Sequence, residues 1–322
     1  MEKRSLASLP QVRALGRHTG GRDPLTLFYT ASGIECLFTG SELHLCLNAG
    51  FDLYEPWISV ELNGAWIARF PVPAGESEVC LFRGMTPGRV KHVRVLKDVQ
   101  AMHDDPGHFL QVTGLAFADG GFLPLPEPAC RLEFVGNSIT SGEGALGARC
   151  EEDWISPFFS AVNHYARMTA DALGAQQPYD FAAWPADAVI LNLGTNDDGA
   201  MNNPPWADPA AGAQYAQRST PEHLAELEQT AVDTLKTVRS RNPGALLVWA
   251  FGMLGEGRMG PLLRRAVARY TAETGDSRAF YLPLPAADSE TMGARQHPGA
   301  ACHRRAAEVL TAFLRRQLPA RP

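Results

Sequence analysis

The feature that most constrains this chain is a change of pattern near residue 130. Before it, apolar and polar residues alternate with the two-residue period of half-buried strands; after it, short apolar runs alternate with segments of helical spacing. A chain carrying both patterns reads as an antiparallel β-unit joined to a parallel α/β unit. Its 322 residues suffice for two units, since single cores rarely grow beyond about 250 to 300 residues. The expected division is a β-sandwich over residues 1–125 and a doubly wound, three-layer α/β/α domain over residues 126–322.

In the first unit, Leu43, Leu45 and Leu47 alternate with Glu42, His44 and Cys46. Ile58, Val60 and Leu62 alternate up to Asn63-Gly64, and Trp66, Ala68 and Phe70 alternate beyond it. Asn-Gly supplies the positive-φ positions of a tight turn, so this pair predicts a hairpin. Ile34 to Phe38, Val79 to Phe82, Val90 to Leu96 and Phe109 to Phe117 complete a series of about seven short strands, which suits a jelly-roll sandwich. The Gly- and Pro-rich stretch Asp119 to Pro128 is the expected linker.

In the second unit, Leu132 to Val135, Val189 to Leu193, Leu246 to Phe251 and Ala279 to Leu282 are the predicted strands. Helices are expected over about Phe158 to Leu173, from Pro221 to Asn242, over Pro261 to Thr274 and over His303 to Leu318. Thr220 caps the second, Pro221 fits its first position and Asn242-Pro243-Gly244 stops it.

Three segments of this unit could carry chemistry. Phe134-Val135-Gly136-Asn137-Ser138-Ile139-Thr140 places a serine just past the first parallel strand, where open α/β sheets bind ligands. Alone, it reads equally as a turn with a helix-capping serine. Asn196, in Asn192-Leu193-Gly194-Thr195-Asn196-Asp197 after the next strand, is either an amide donor or a turn former. His297 sits in the loop before the last helix, where a lone histidine is ordinarily a surface residue. Together they form a nucleophile, a donor and a base at three strand ends, which is what acyl transfer requires.

These segments resemble blocks I, III and V of the GDSL/SGNH hydrolases, Gly136-Asn137-Ser138-Ile139-Thr140 being similar to a first block in which Asn replaces the usual Asp. With a β-unit ahead, the layout is similar to carbohydrate esterase family two, acetyl-xylan esterases and related deacetylases with an N-terminal jelly roll. The resemblance covers nearly the whole chain, including Gly252-Met253-Leu254-Gly255 after the fourth strand. It implies Ser138 as nucleophile with its own N–H in the oxyanion hole, Asn196 as side-chain donor and His297 as general base. The implied activity is removal of acetyl groups from a carbohydrate through an acyl-serine intermediate.

Two departures from that pattern stand out. The family's usual Asp three residues before the histidine is Ala294 here. A backbone carbonyl or Asp288 could orient the imidazole instead, leaving a Ser-His dyad. The family's second block, a Gly whose N–H completes the oxyanion hole, has no counterpart between Gly174 and Gly194. The sheet is therefore expected to lack one edge strand. Either turnover is slow, or another group supplies the donor, or part of the natural chain is absent from this sequence.

Composition excludes other classes. The net charge of -6 provides no footprint for nucleic acid, and no apolar run reaches the ~20 residues of a membrane span. The histidines form no metal-ligand motif and the six cysteines no C-x-x-C pair, so neither metal nor cofactor is expected. The N-terminal residues lack the apolar stretch of a secretory signal, and the expected location is the cytoplasm. Asp104-Asp105 and Glu151-Glu152-Asp153 read as solvated loops; Trp154 and Trp206 are candidates to stack on a sugar or to pack at a domain interface. The rival readings are a carbohydrate-binding module on a weakened hydrolase scaffold, and an esterase or thioesterase for a non-carbohydrate acyl group.

Overall fold

Period-two patterning in the first part of the chain forms β1 (Glu2–Arg4), β2 (Arg13–Leu15), β3 (Leu25–Thr26), β4 (Gly33–Phe38), β5 (Leu43–Gly50), β6 (Trp57–Leu62), β7 (Ala65–Pro71), β8 (Gly75–Phe82), β9 (Lys91–Lys97), β10 (Phe109–Phe117) and β11 (Phe122–Leu123). This computed structural model describes residues 1–318 except positions 17, 101, 103, 177–184, 210–211 and 218. Two antiparallel sheets result, one ordered β1-β10-β5-β8 with β3 on β10, the other β11-β4-β9-β6-β7 with β2 on β4. Leu43, Leu45 and Leu47 point into a core shared with Ile34, Phe38, Ile58, Val60, Val93 and Leu110, so alternation buries one face of each sheet. Asn63 and Gly64 take positive φ values of 53° and 81°, forming the expected hairpin between β6 and β7. Within the expected linker, β11 pairs with β4, so the chain leaves this half stitched to its sheet.

The second half contains β12 (Cys130–Gly136), α1 (Tyr165–Leu173), β13 (Ala175–Gln176), β14 (Ala188–Asn192), α2 (Thr195–Asn202), β15 (Trp206–Asp208), β16 (Ala213–Tyr215), α3 (Pro221–Arg241), β17 (Leu246–Phe251), α4 (Met259–Thr274), β18 (Ala279–Pro283) and α5 (Ala300–Gln317). The parallel sheet runs β13-β12-β14-β17-β18. Tyr165 and Ala166 of α1 join Cys302, Ala306 and Leu310 of α5 in one core, while Val232, Leu235, Leu262 and Leu263 of α3 and α4 build another. Among the described residues no helix is long and apolar enough to cross a membrane.

Several expectations are corrected. The edge strand is present, not lost: Ala175 and Gln176 pair with Cys130 and Arg131. The rest of the stretch compared with the second block, positions 177–184, lies outside the described residues. Helix α1 begins at Tyr165 because the backbone before it bonds elsewhere: Ser160 N–H donates to Gly142 O, and Ala161 N–H donates to the buried Asp98 carboxylate at 2.6 Å. Asp105 is no solvated loop residue; it is buried and accepts from the N–H groups of Asp52, Leu53 and Tyr54.

The halves are joined by polar contacts. Arg94 of β9 pairs with Asp171 of α1 at 2.9 Å, and Arg167 of α1 with Glu61 of β6 at 2.8 Å. Arg69 of β7 pairs with Asp98 and donates to Phe159 O at 3.0 Å. Among the described residues, Lys97, 1% exposed, has as acceptors Leu27 O at 3.5 Å and Phe28 O at 3.3 Å, and burial pushes its amine down to about 7.

Candidate active site

Strand β12 ends at Gly136, paired with Asn192 of β14, and the chain enters a run of turns. Ile139 is 1% exposed and plugs the core beneath, while the Thr140 hydroxyl meets the Tyr165 hydroxyl at 3.0 Å. These two anchors leave Ser138 half-buried between them and the surface. Asn137 Oδ1 accepts from Ile139 N–H at 3.1 Å, and Glu143 N–H returns to Ser138 O at 3.1 Å. The Ser141 hydroxyl lies 2.8 Å from Ser138 O and 2.7 Å from the Gln100 side-chain amide, so a residue of the first half braces the loop.

The second loop, between β18 and α5, folds over the first. Gly293 N–H donates to His297 O, and Ala294 N–H reaches across to Gly144 O. Gly144 has φ +73°, and a Cβ there would sit 2.4 Å from Ala294 O and 2.7 Å from His297 Cβ. Only glycine lets the loops close to this separation. Arg295, at φ 52° and ψ 37°, turns its own carbonyl toward the imidazole.

That turn fixes the proton. His297 Nδ1 lies 2.7 Å from Arg295 O, and Nε2 lies 2.8 Å from Ser138 Oγ. A carbonyl only accepts, so Nδ1 carries the hydrogen and Nε2 presents its lone pair to the serine O–H. Beneath them, burial pushes His303 down to about 3 and His164 down to about 4, so neither brings a competing cation. The Glu143 carboxylate, buried to 5% exposure, lies 3.9 Å from His297 Nε2 and 3.4 Å from Arg295 Nε.

No family model matches the chain. The acetyl xylan esterase Est2A from the rumen bacterium Butyrivibrio proteoclasticus is 32% identical, covers 98% of each chain and superposes with a TM-score of 0.93. A family two carbohydrate esterase from Clostridium thermocellum, in complex with cellohexaose, shares the fold at 23% identity and TM-score 0.79, over 95% of this chain and 98% of that one. The chain belongs to carbohydrate esterase family two. It thereby falls among the carboxylic ester hydrolases. This family two member is also 25% identical, over 90% of its length, to the cellulase/esterase CelE of Acetivibrio thermocellus. It spans about 37% of the length of that curated relative.

The residues singled out from sequence fall as follows in this family two esterase. Ser138 and His297 are in contact. Asn196 is exposed in the first turn of α2, whose strand β14 adjoins β12, so it occupies the same rim as Ser138. Asp288 does not orient His297: its carboxylate accepts from Thr291 and pairs with Arg305, and the imidazole has the Arg295 carbonyl instead. Trp154 packs edge-on against Tyr54 at 4.8 Å and near Phe159, in a cluster spanning both halves. Trp206 is 54% exposed on β15 of a short hairpin. Sequence reasoning missed Glu143, Ser141 and Gln100. The available signal was Gly142-Glu143-Gly144, a charged residue held between two glycines of the loop that carries Ser138.

Proposed function

We propose that the chain is a serine esterase that removes small acyl groups, acetyl foremost, from carbohydrate, using a Ser-His dyad whose imidazole is oriented by a main-chain carbonyl. The observation that carries this reading is the 2.8 Å contact from Ser138 Oγ to His297 Nε2, with Nδ1 held at 2.7 Å. Ser138 Oγ attacks the ester carbonyl as its proton passes to Nε2. The oxyanion is taken up by the Ser138 N–H and the Asn196 amide, and the imidazolium is faced by Glu143. On collapse, the Nε2 proton goes to the departing sugar oxygen. Water, deprotonated by the same nitrogen, then releases the carboxylic acid and restores Ser138. Trp206 is our candidate to stack on a sugar ring. Six cysteines without a C-x-x-C pair suit a reducing compartment, and we place the reaction in the cytoplasm.

The test is acetate release from acetylated xylan and a p-nitrophenyl ester series by wild type and Ser138→Ala. Hydrolysis of the short esters that vanishes in the variant supports the reading; equal rates overturn it. A steep preference for long acyl chains on non-sugar leaving groups would assign the dyad to another ester class. The absence of a second-block Gly from the sequence between Gly174 and Gly194 favours one alternative, a weakened scaffold that binds sugar without turnover. Thermal stabilisation by oligosaccharide with no hydrolysis would mark it.

A further inference from the structure

The outer face of the first antiparallel sheet carries a cluster of metal-ligating groups unconnected with the dyad. Because Leu43 and Leu45 of β5 face the core, His44 and Cys46 face away from it, and Glu42 shares their side. On the edge strand β8, Cys80 is the register partner of His44, and Glu78 of Cys46. Strand pairing thus gathers Glu42, His44 and Cys80 from two separate stretches of chain. One donor atom from each falls within 4.8 Å of the others.

We propose that Glu42, His44 and Cys80 form a binding site for a borderline-soft divalent transition ion, zinc being the type. The imidazole supplies the independent support. Glu78 Oε1 lies 2.8 Å from His44 Nδ1, and Glu42 Oε1 lies 2.7 Å from Nε2. A carboxylate on the far nitrogen is the arrangement that fixes ring orientation in metal-bound histidines, leaving the other nitrogen as the ligand. His44 is 8% exposed and cannot swing freely away. A mixed oxygen, nitrogen and sulfur donor set suits zinc-like ions, not magnesium or calcium.

Charge agrees with this assignment. Arg83 lies beside Cys80 and Glu42, and Cys46 sits beside Lys3 and Glu78. Once Cys80 gives up its proton to bind, Glu42, Glu78 and the thiolate against one Arg83 guanidinium leave two net negative charges. A divalent cation neutralises them. Tetrahedral ligands about 2.0 to 2.3 Å from the ion lie about 3.5 Å apart, so Glu42 must withdraw slightly from His44 and Cys80 must close in. Uptake displaces a proton from between Nε2 and Glu42 and another from the Cys80 thiol, both released to solvent. The fourth position is left to water.

The experiment uses the full chain, reduced and treated with chelator, then titrated with Co2+ and Zn2+. One equivalent of Co2+ should give tetrahedral d–d absorption and a thiolate charge-transfer band, displaced by Zn2+. Cys80→Ser should lose the charge-transfer band, and Glu78→Gln should weaken Zn2+ binding about 10- to 100-fold while leaving the stoichiometry. Thermal melts without metal verify that each variant folds. No stoichiometric uptake by the wild type, or the same spectrum in Cys80→Ser, overturns the proposal. Ser138→Ala should bind as wild type does, which keeps this result separate from the esterase assay.

Discussion

Replacing Glu143 by Gln keeps the shape of a buried side chain and deletes one charge 3.9 Å from His297 Nε2. At an effective dielectric of about 20, unit charges at that separation attract by about 4 kcal/mol. Arg295, 3.4 Å from the same oxygen, is unchanged by the substitution and cancels from the comparison, while solvent at the 18% exposed imidazole screens roughly half. About 2 kcal/mol then remains for the imidazolium that exists only after proton transfer, so kcat should fall about thirtyfold with KM nearly unchanged. Arg295 keeps 36% of its side chain in contact with solvent and is not stranded, so the unfolding midpoint should move little. The assay is steady-state hydrolysis of a short acyl ester across pH, with a thermal melt as control. An equally stable variant with kcat within about twofold of wild type would refute the electrostatic role.

Two further perturbations test other parts of the structure. Gly144→Ala forces a Cβ against Ala294 O and His297 Cβ at φ +73°, so the histidine loop must retreat. A displacement of about 1 Å costs about a hundredfold in kcat, and an unchanged kcat would show that the loops approach less closely than described. Lys97→Met removes a poorly partnered buried amine and should raise Tm. The folded amine loses its proton near 7 and the unfolded one near 10.5, so the unfolded state binds more protons between these values and wild-type stability climbs with pH there. The gain from methionine should thus be greatest at and below about pH 7 and shrink toward about pH 10; melts showing a constant difference would contradict this.

The strands and the two chemical residues were readable because each left a local trace. Leu43, Leu45 and Leu47 write the buried face of β5 into the sequence, and Thr220 and Asn242 mark the ends of α3. Ser138 and His297 lie in loops that follow two strands of the parallel pattern, which places them at the same rim before any coordinates are known. What escaped depends on partners distant in sequence. Residues 159–164 have helical spacing, yet Asp98 and Gly142 take their N–H groups, so the helix starts late. Helix α2 has no apolar stripe; its Asp198 is held by the N–H groups of Arg258 and Met259 at the start of α4. Glu143 looks like any loop acid until Arg295 and His297 arrive from another loop. The grouping of Glu42, His44 and Cys80 requires the β5–β8 register, which no spacing within one segment reveals.

The partner that steers the imidazole belongs to the peptide backbone at position 295. It cannot be deleted by exchanging a side chain, and acid does not titrate it. A scan that replaces residues one at a time would pass over this contributor in silence, since alanine has the same carbonyl. Its signature would appear only in changes that straighten the kink of the main chain there, and the enzyme's response to acid should lack the second proton event that an aspartate in that role would add.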